Sequence, residues 1–240
     1  MADRPRHAAT HSVTHQHRDV TGGGLRPTVF GAMDGLVSNF ALIAGVAGAS
    51  ATASQVSLAG LAGLVGGAFS MAAGEYVSVQ SQNELTRAEL DVERHELAHN
   101  AEGELAELTE VYVQRGVDEQ LAAQVARQLS RDPDQALAVH AHEELGIDPK
   151  LLPSPWVAAG SSLLSFSVGA LVPLLPYALG ATSLWTSALL AVAGLFLAGA
   201  VAARFTSRGW LFGGLRQLAL GVLAAAITYG VGLLFHAGIS

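Results

Sequence analysis

The sequence predicts an all-α, polytopic membrane protein: five transmembrane helices, with a helical domain inserted on the cytosolic side after the second. Three observations carry this. Five stretches are apolar over roughly 20 residues each, the length a helix needs to cross a bilayer. Only 14% of the residues are charged, and these gather in an N-terminal tail, a central block and one short late loop. The central block is rich in charge at helical spacing and carries no long apolar run. There is no cysteine, so disulfides and thiolate metal sites are excluded. A net charge of −7 favours cations over nucleic acid as partners.

Residues 1–27 are polar and hold His7, His11, His15 and His17. They read as a disordered cytosolic tail without a cleavable signal, either merely solvated or loosely metal-binding. Residues 28–83 hold the first two spans. The first covers about 28–49, and the small polar residues 50–55 make the turn. The second starts near Val56. Gly63 and Gly67 lie four apart there, as Gly31 and Gly35 do in the first, a spacing that lets helices approach closely in lipid. The expectation is tight packing of these two helices against each other or a second subunit.

No Pro or Gly lies between Glu75 and Gly103, so the second helix is expected to run out of the membrane past Leu90. Residues 84–152 form the inserted domain, with helices at about 84–99, 103–114, 118–130 and 134–145, ended by Pro149, Pro153 and Pro155. Residues 153–240 hold the last three spans. The third starts near Trp156 and tolerates Pro173 and Pro176. The fourth covers about 183–203, and Arg204, Arg208 and Arg216 mark a basic loop before the fifth at about 218–235. The basic flanks place the N-terminus, the domain and the basic loop in the cytoplasm, and the C-terminus outside.

Asp34 sits at the start of an uncharged run of roughly forty residues that ends at Glu75. A carboxylate in hydrocarbon costs at least a few kcal/mol unless neutralised, hydrated or cation-bound, so Asp34 reads as a point on an ion pathway or as an acid snorkelling to the membrane edge. Ser38 lies one turn on, on the same face. Met71, Glu75 and Ser78 share a face of the second helix. Met71 is either packing or a soft thioether ligand.

In the domain, Glu93 and Glu96, Glu104 and Glu107, and Glu107 and Glu110 are spaced three apart and share faces. Bringing such faces together crowds carboxylates that repel unless a cation holds them. His140 and Glu144 share a face, as do His95 and His99. Imidazole among carboxylates shifts preference from Ca2+ or Mg2+ towards Fe2+, Mn2+, Co2+ or Zn2+. A solvated amphipathic bundle is the alternative. Glu96-x-x-His99 is half of a di-iron motif, and its second half is missing.

Three stretches together resemble the vacuolar iron transporter family: Asp34-Gly-Leu-Val-Ser-Asn-Phe-Ala-Leu-Ile-Ala-Gly-Val-Ala-Gly48, Gly67-Ala-Phe-Ser-Met71-Ala-Ala-Gly-Glu75-Tyr76 and Val172-Pro-Leu-Leu-Pro-Tyr177. The resemblance implies a homodimer with five membrane helices and an inserted three-helix metal-binding domain. It implies export of Fe2+ from the cytoplasm in exchange for protons. It places Asp34 and Met71 on the translocation path near the dimer axis, and makes Glu93, Glu96, Glu104, Glu107 and Glu144 metal ligands. Eukaryotic members have methionines where this chain has His140 and Ala141, and an acid where it has Gly63. Glu75 is then the other membrane acid available for proton coupling.

The expected function is therefore a divalent-metal transporter, not an enzyme, taking Fe2+ and also Mn2+. Its partners are metal ions, protons, the bilayer and a second copy of itself. The polar tail and the Glu75-Tyr76 variant point to a bacterial inner membrane. The alternative is a membrane-anchored iron-binding, ferroxidase or storage protein that does not transport.

Overall fold

The computed structural model describes residues 24–204 and 208–239. The described residues form eight α-helices and no strand: α1 Leu25–Gly48, α2 Ala53–His99, α3 Ala101–Gln114, α4 Glu119–Leu129, α5 Pro133–Glu144, α6 Pro155–Ala178, α7 Leu184–Ala203 and α8 Trp210–Ile239. Five of them, α1, α2, α6, α7 and α8, are long and apolar enough to cross a membrane. The four tail histidines lie outside the described residues.

Local chemistry sets the boundaries. Thr52 and Gln55 form a reciprocal capping box at the start of α2. Asp118, Asp132 and Ser154 each accept backbone N–H groups at the starts of α4, α5 and α6. Pro133 and Pro155 occupy the first helical position, where no intrahelical N–H bond is lost.

The helix expected at 84–99 is not separate. It is the continuation of α2, which runs unbroken for 47 residues, about 70 Å. The expected Asn100–Gly103 turn shrinks to a break at Asn100 alone, with φ −133° and ψ 41°. The Asn100 side chain folds over Gly103, where a Cβ would come within 2.3 Å of it. The absence of a side chain at position 103 leaves room for the Asn100 side chain.

The basic loop is shorter than expected. α8 starts at Trp210 rather than near residue 218, so Arg216 lies within the helix. Gly213 and Gly214 look like loop residues in sequence. Here they are contact points: a Cβ on Gly213 would lie 2.6 Å from the Gly199 carbonyl, and one on Gly214 2.6 Å from the Phe196 ring. Packing on α7 overrides their poor helix propensity.

The glycine pairs meet the expectation in part: Gly63 of α2 faces α1, while Gly31 and Gly35 of α1 face α6. On α1, a Cβ at Gly35 would stand 2.2 Å from the Phe166 carbonyl of α6, and one at Gly169 of α6 would stand 2.1 Å from the Ala32 carbonyl. The α1 pair therefore seats α6, not α2. On α2, Gly63 faces Asn39 and Leu42 of α1, and Gly67 faces the Phe166 ring. At the far end Thr228 of α8 donates to the Ala41 carbonyl of α1, at 2.6 Å. Ser187 of α7 donates its hydroxyl to the Pro173 carbonyl at 2.5 Å, tying α7 to α6 beside the two prolines.

Helix α4 packs on α3 and α5, and α3 and α5 pack on α2. Leu90, Leu137 and Ala141 form their buried core, flanked by Leu97 and Ile147. Buried Asn83 donates to the Pro153 carbonyl at 2.9 Å, tying the root of this unit to the segment that leads into α6. Alternate crossings put this unit, the start of α1 and the α7–α8 connection on one side, and the α1–α2 and α6–α7 connections on the other.

Candidate metal centre

Four side chains from three helices converge inside the α2–α5 unit. Glu93 comes from α2, Glu104 from α3, and His140 and Glu144 from successive turns of α5. One ligand atom of each lies within 4.8 Å of every other. The His140 Nδ1 is 2.9 Å from Glu144, 3.0 Å from Glu93 and 3.4 Å from Glu104. His140 is completely buried, Glu104 is buried and Glu93 nearly so, while Glu144 stands at the rim. The reading of His140 as a solvated helix residue is thereby excluded.

The electrostatics show a site short of positive charge. Burial pushes the Glu93 carboxyl up to about 7, and the charge on Glu144 adds to this while His140 opposes it. Burial also raises Glu104, again against His140 and with Glu107, Glu144 and Glu96 adding. Three carboxylates share one imidazole, and no Lys or Arg joins them among the described residues. The His140 Nδ1 hydrogen-bonds Glu144, so Glu93 Oε1, though 3.0 Å from that nitrogen, and His140 Nε2 are buried without a hydrogen bond. A divalent cation amid the oxygens would supply the missing charge and take up the Glu93 lone pairs. Three carboxylates and one imidazole suit borderline first-row ions rather than Ca2+ or Mg2+.

Glu96 and Glu107 do not enter the cluster. Each lies one turn beyond its neighbour, Glu93 or Glu104, and is exposed. They act on Glu104 by charge alone. His95 and His99 stack on each other at 4.0 Å on the exposed side of α2, with the His99 Nδ1 against the His95 carbonyl at 2.8 Å. The half di-iron motif thus turns away from the carboxylates. On the other flank of α5, Arg115 of α3 pairs with Glu143.

The sequence pattern of the VIT family matches residues 25–233, from the first turn of α1 to near the end of α8. The chain belongs to the VIT family. It is 44% identical over 229 residues to the vacuolar iron transporter of Acanthamoeba castellanii, covering 89% of this chain and 79% of the relative. It is 35% identical over 239 residues to vacuolar iron transporter 1 of Oryza sativa subsp. japonica, covering 96% and 92%. Vacuolar iron transporter 1 of Arabidopsis thaliana is 30% identical over 222 residues, covering 90% and 88%.

Within this VIT-family chain the membrane residues stand apart from the cluster and from one another. Asp34 and Ser38 lie on the exposed face of α1, and the Ser38 hydroxyl donates to the Asp34 backbone carbonyl at 2.6 Å. Met71 packs beside Ala68, Phe166 and Ala170, and Glu75 is half-buried one turn on. No hydrogen bond or ion pair joins Asp34, Met71 and Glu75 among the described residues.

Asn39 is among the buried polar residues that sequence periodicity does not single out. It is 2% exposed, donates to the Ala170 carbonyl at 2.7 Å, and leaves its own carbonyl oxygen unpaired towards Gly63. An amide in an apolar run was the available signal.

Proposed function

We propose that this VIT-family protein moves Fe2+, with Mn2+ as a second cargo, out of the cytoplasm across its membrane in exchange for protons. The observation that carries this is the buried Glu93–Glu104–His140–Glu144 cluster, joined by one continuous helix to a bundle with an acid in its apolar face. The names of the relatives supply iron as the metal. In this reading the α2–α5 unit is cytosolic and captures the ion. Capture expels the proton that Glu93 holds near neutral pH, so loading is linked to proton release. Asp34, Ser38, Met71 and Glu75 form the membrane path, and Glu75 returns the proton.

The exposure of Asp34 supports a homodimer. A carboxylate on the outer face of a single bundle would meet lipid, at a cost of several kcal/mol. A second copy packed on α1 and α2 would enclose it in a shared, hydrated path. Zn2+ and Co2+ fit the same ligand set and would compete at the cluster. The relatives are named for the vacuole, so a bacterial inner membrane rests on the Glu75-Tyr76 variant and the polar tail alone, and the mechanism is indifferent to it.

The test is metal flux into proteoliposomes under an imposed pH gradient, comparing Fe2+ with Mn2+. Gradient-driven Fe2+ uptake, lost when the gradient is collapsed, is the expected result. Metal bound to the protein without flux under any gradient would return the anchored binding protein as the better reading.

A further inference from the structure

The connection between α7 and α8 carries charge that the rest of the mechanism does not use. Arg208 and Arg216 approach one ring, that of Phe212, each guanidinium carbon 5.9 Å from its centroid. Phe212 is 55% exposed, and Trp210, Leu211 and Leu215 around it are exposed to a similar degree. Two cations thus sit about one aromatic surface, where like charges repel unless an anion lies between them.

Among the described residues the protein supplies no such anion. The last acidic side chain in the sequence is Asp148, so α6, α7, α8 and their connections contain none. Neither arginine forms an ion pair among the described residues. The patch is also held firmly. Phe196 meets Trp210 edge-on at 6.1 Å, and Gly199 and Gly213 bring the two helix backbones into contact beneath it.

The length of α8 sets its depth. Its 30 residues extend about 45 Å, against about 30 Å of hydrocarbon. Charge at depth is costly, so the end that leaves the hydrocarbon is the basic one, whose first two turns bear Trp210, Phe212 and Arg216. This places two guanidiniums and an apolar surface together at the level of lipid phosphates. Guanidinium binds phosphate oxygens in pairs, while the exposed Leu and Phe faces suit acyl chains.

From this we infer that Arg208, Phe212 and Arg216 form a binding site for the phosphate of an anionic glycerophospholipid, in the leaflet facing the α2–α5 unit. Lipid bound there fixes the α7–α8 corner and the depth of α8. The inference does not depend on which metal is carried.

The experiment is native mass spectrometry of the full-length protein in neutral detergent, titrated with phosphatidylglycerol or phosphatidylcholine of identical acyl chains. Two interfacial arginines should give about a 30-fold preference for one phosphatidylglycerol. The double variant Arg208→Gln with Arg216→Gln should bring the two lipids within about twofold, with metal binding at the Glu93 cluster retained. If that variant fails to insert, Phe212→Leu changes no charge and should still lower the preference several-fold. Equal binding of the two lipids by the parent, or a preference unchanged in these variants, overturns the site. Displacement of the lipid by millimolar inorganic phosphate would make it a site for free anions and also overturns the lipid assignment.

Discussion

Replacing Glu93 by Gln separates what the cluster costs the fold from what it does for metal. In the metal-free protein burial raises the Glu93 carboxyl from 4.5 to about 7. The unfolded chain releases this proton near the ordinary value and the folded chain holds it until about 7. Below about 4.5 both states are protonated and nothing is lost. Between the two values the folded state binds more protons, so stability falls as pH rises. Above about 7 the full cost is present. At about 1.4 kcal/mol per pH unit this is about 3 kcal/mol. Glu93→Gln carries no charge at any pH and avoids that cost. Chelator-treated full-length protein, parent and variant, should therefore match near pH 4.5 and differ by about 3 kcal/mol at pH 8, the variant being the more stable. Hydrogen exchange of α3 and α5 amides reads this locally, since these helices pack on Leu108, Leu90 and Leu137. After correction for intrinsic rates, exchange at pH 8 should be about 100-fold slower in the variant. Added Fe2+ should protect the parent and leave the variant little changed. A variant less stable than the parent at pH 8, or a difference independent of pH, would refute the reasoning.

Other outcomes follow from the same structure. Asp34→Ala should abolish flux in proteoliposomes while Fe2+ affinity at the cluster stays within about twofold, since Asp34 has no contact with it; normal flux would remove Asp34 from the path. His140→Met, which replaces a buried imidazole by a thioether, should raise the Cd2+ over Mn2+ preference, because a thioether is the softer donor; titration calorimetry giving the same preference in parent and variant would show that His140 is not a ligand. Gly35→Ala should force α1 from α6, because the added carbon would meet the Phe166 carbonyl at 2.2 Å, and cost about 3 kcal/mol or the folded protein altogether; an unchanged melting temperature in detergent would contradict this packing.

The spans were legible because their causes are local. Apolar length gave five crossings, and the absence of Pro and Gly after Glu75 foretold that α2 would leave the bundle unbroken. Gly213, Gly214 and Arg216 misled because their meaning is tertiary: the glycines are the surface on which α7 rests. Likewise the Gly31–Gly35 spacing announces close approach without naming the helix that approaches. At the cluster, periodicity identified Glu93, Glu104, His140 and Glu144 but could not separate them from Glu96 and Glu107. Acids one turn apart share a face, yet their heads point to places roughly 5 Å apart, so two helices crossing at one point admit one acid from each. Which turn faces the crossing depends on the Leu90–Leu137–Ala141 contacts.

The unbroken run of α2 has a mechanical consequence. Glu75 and Glu93 are eighteen residues apart, which is five turns of 3.6, so both carboxyls stand at the same angle on one rod, about 27 Å apart. Rotation of the rod about its axis turns both together. Tilting it by about 10° at the Glu75 end swings the Glu93 end through about 5 Å, as large as the spread of the cluster's own ligand atoms. Because α3 and α5 also carry ligands, such a swing would either drag them along or pull the cluster open. The bundle and the Glu93 cluster are thus geared by a single stiff shaft, with Asn83 at the bearing where it passes Pro153.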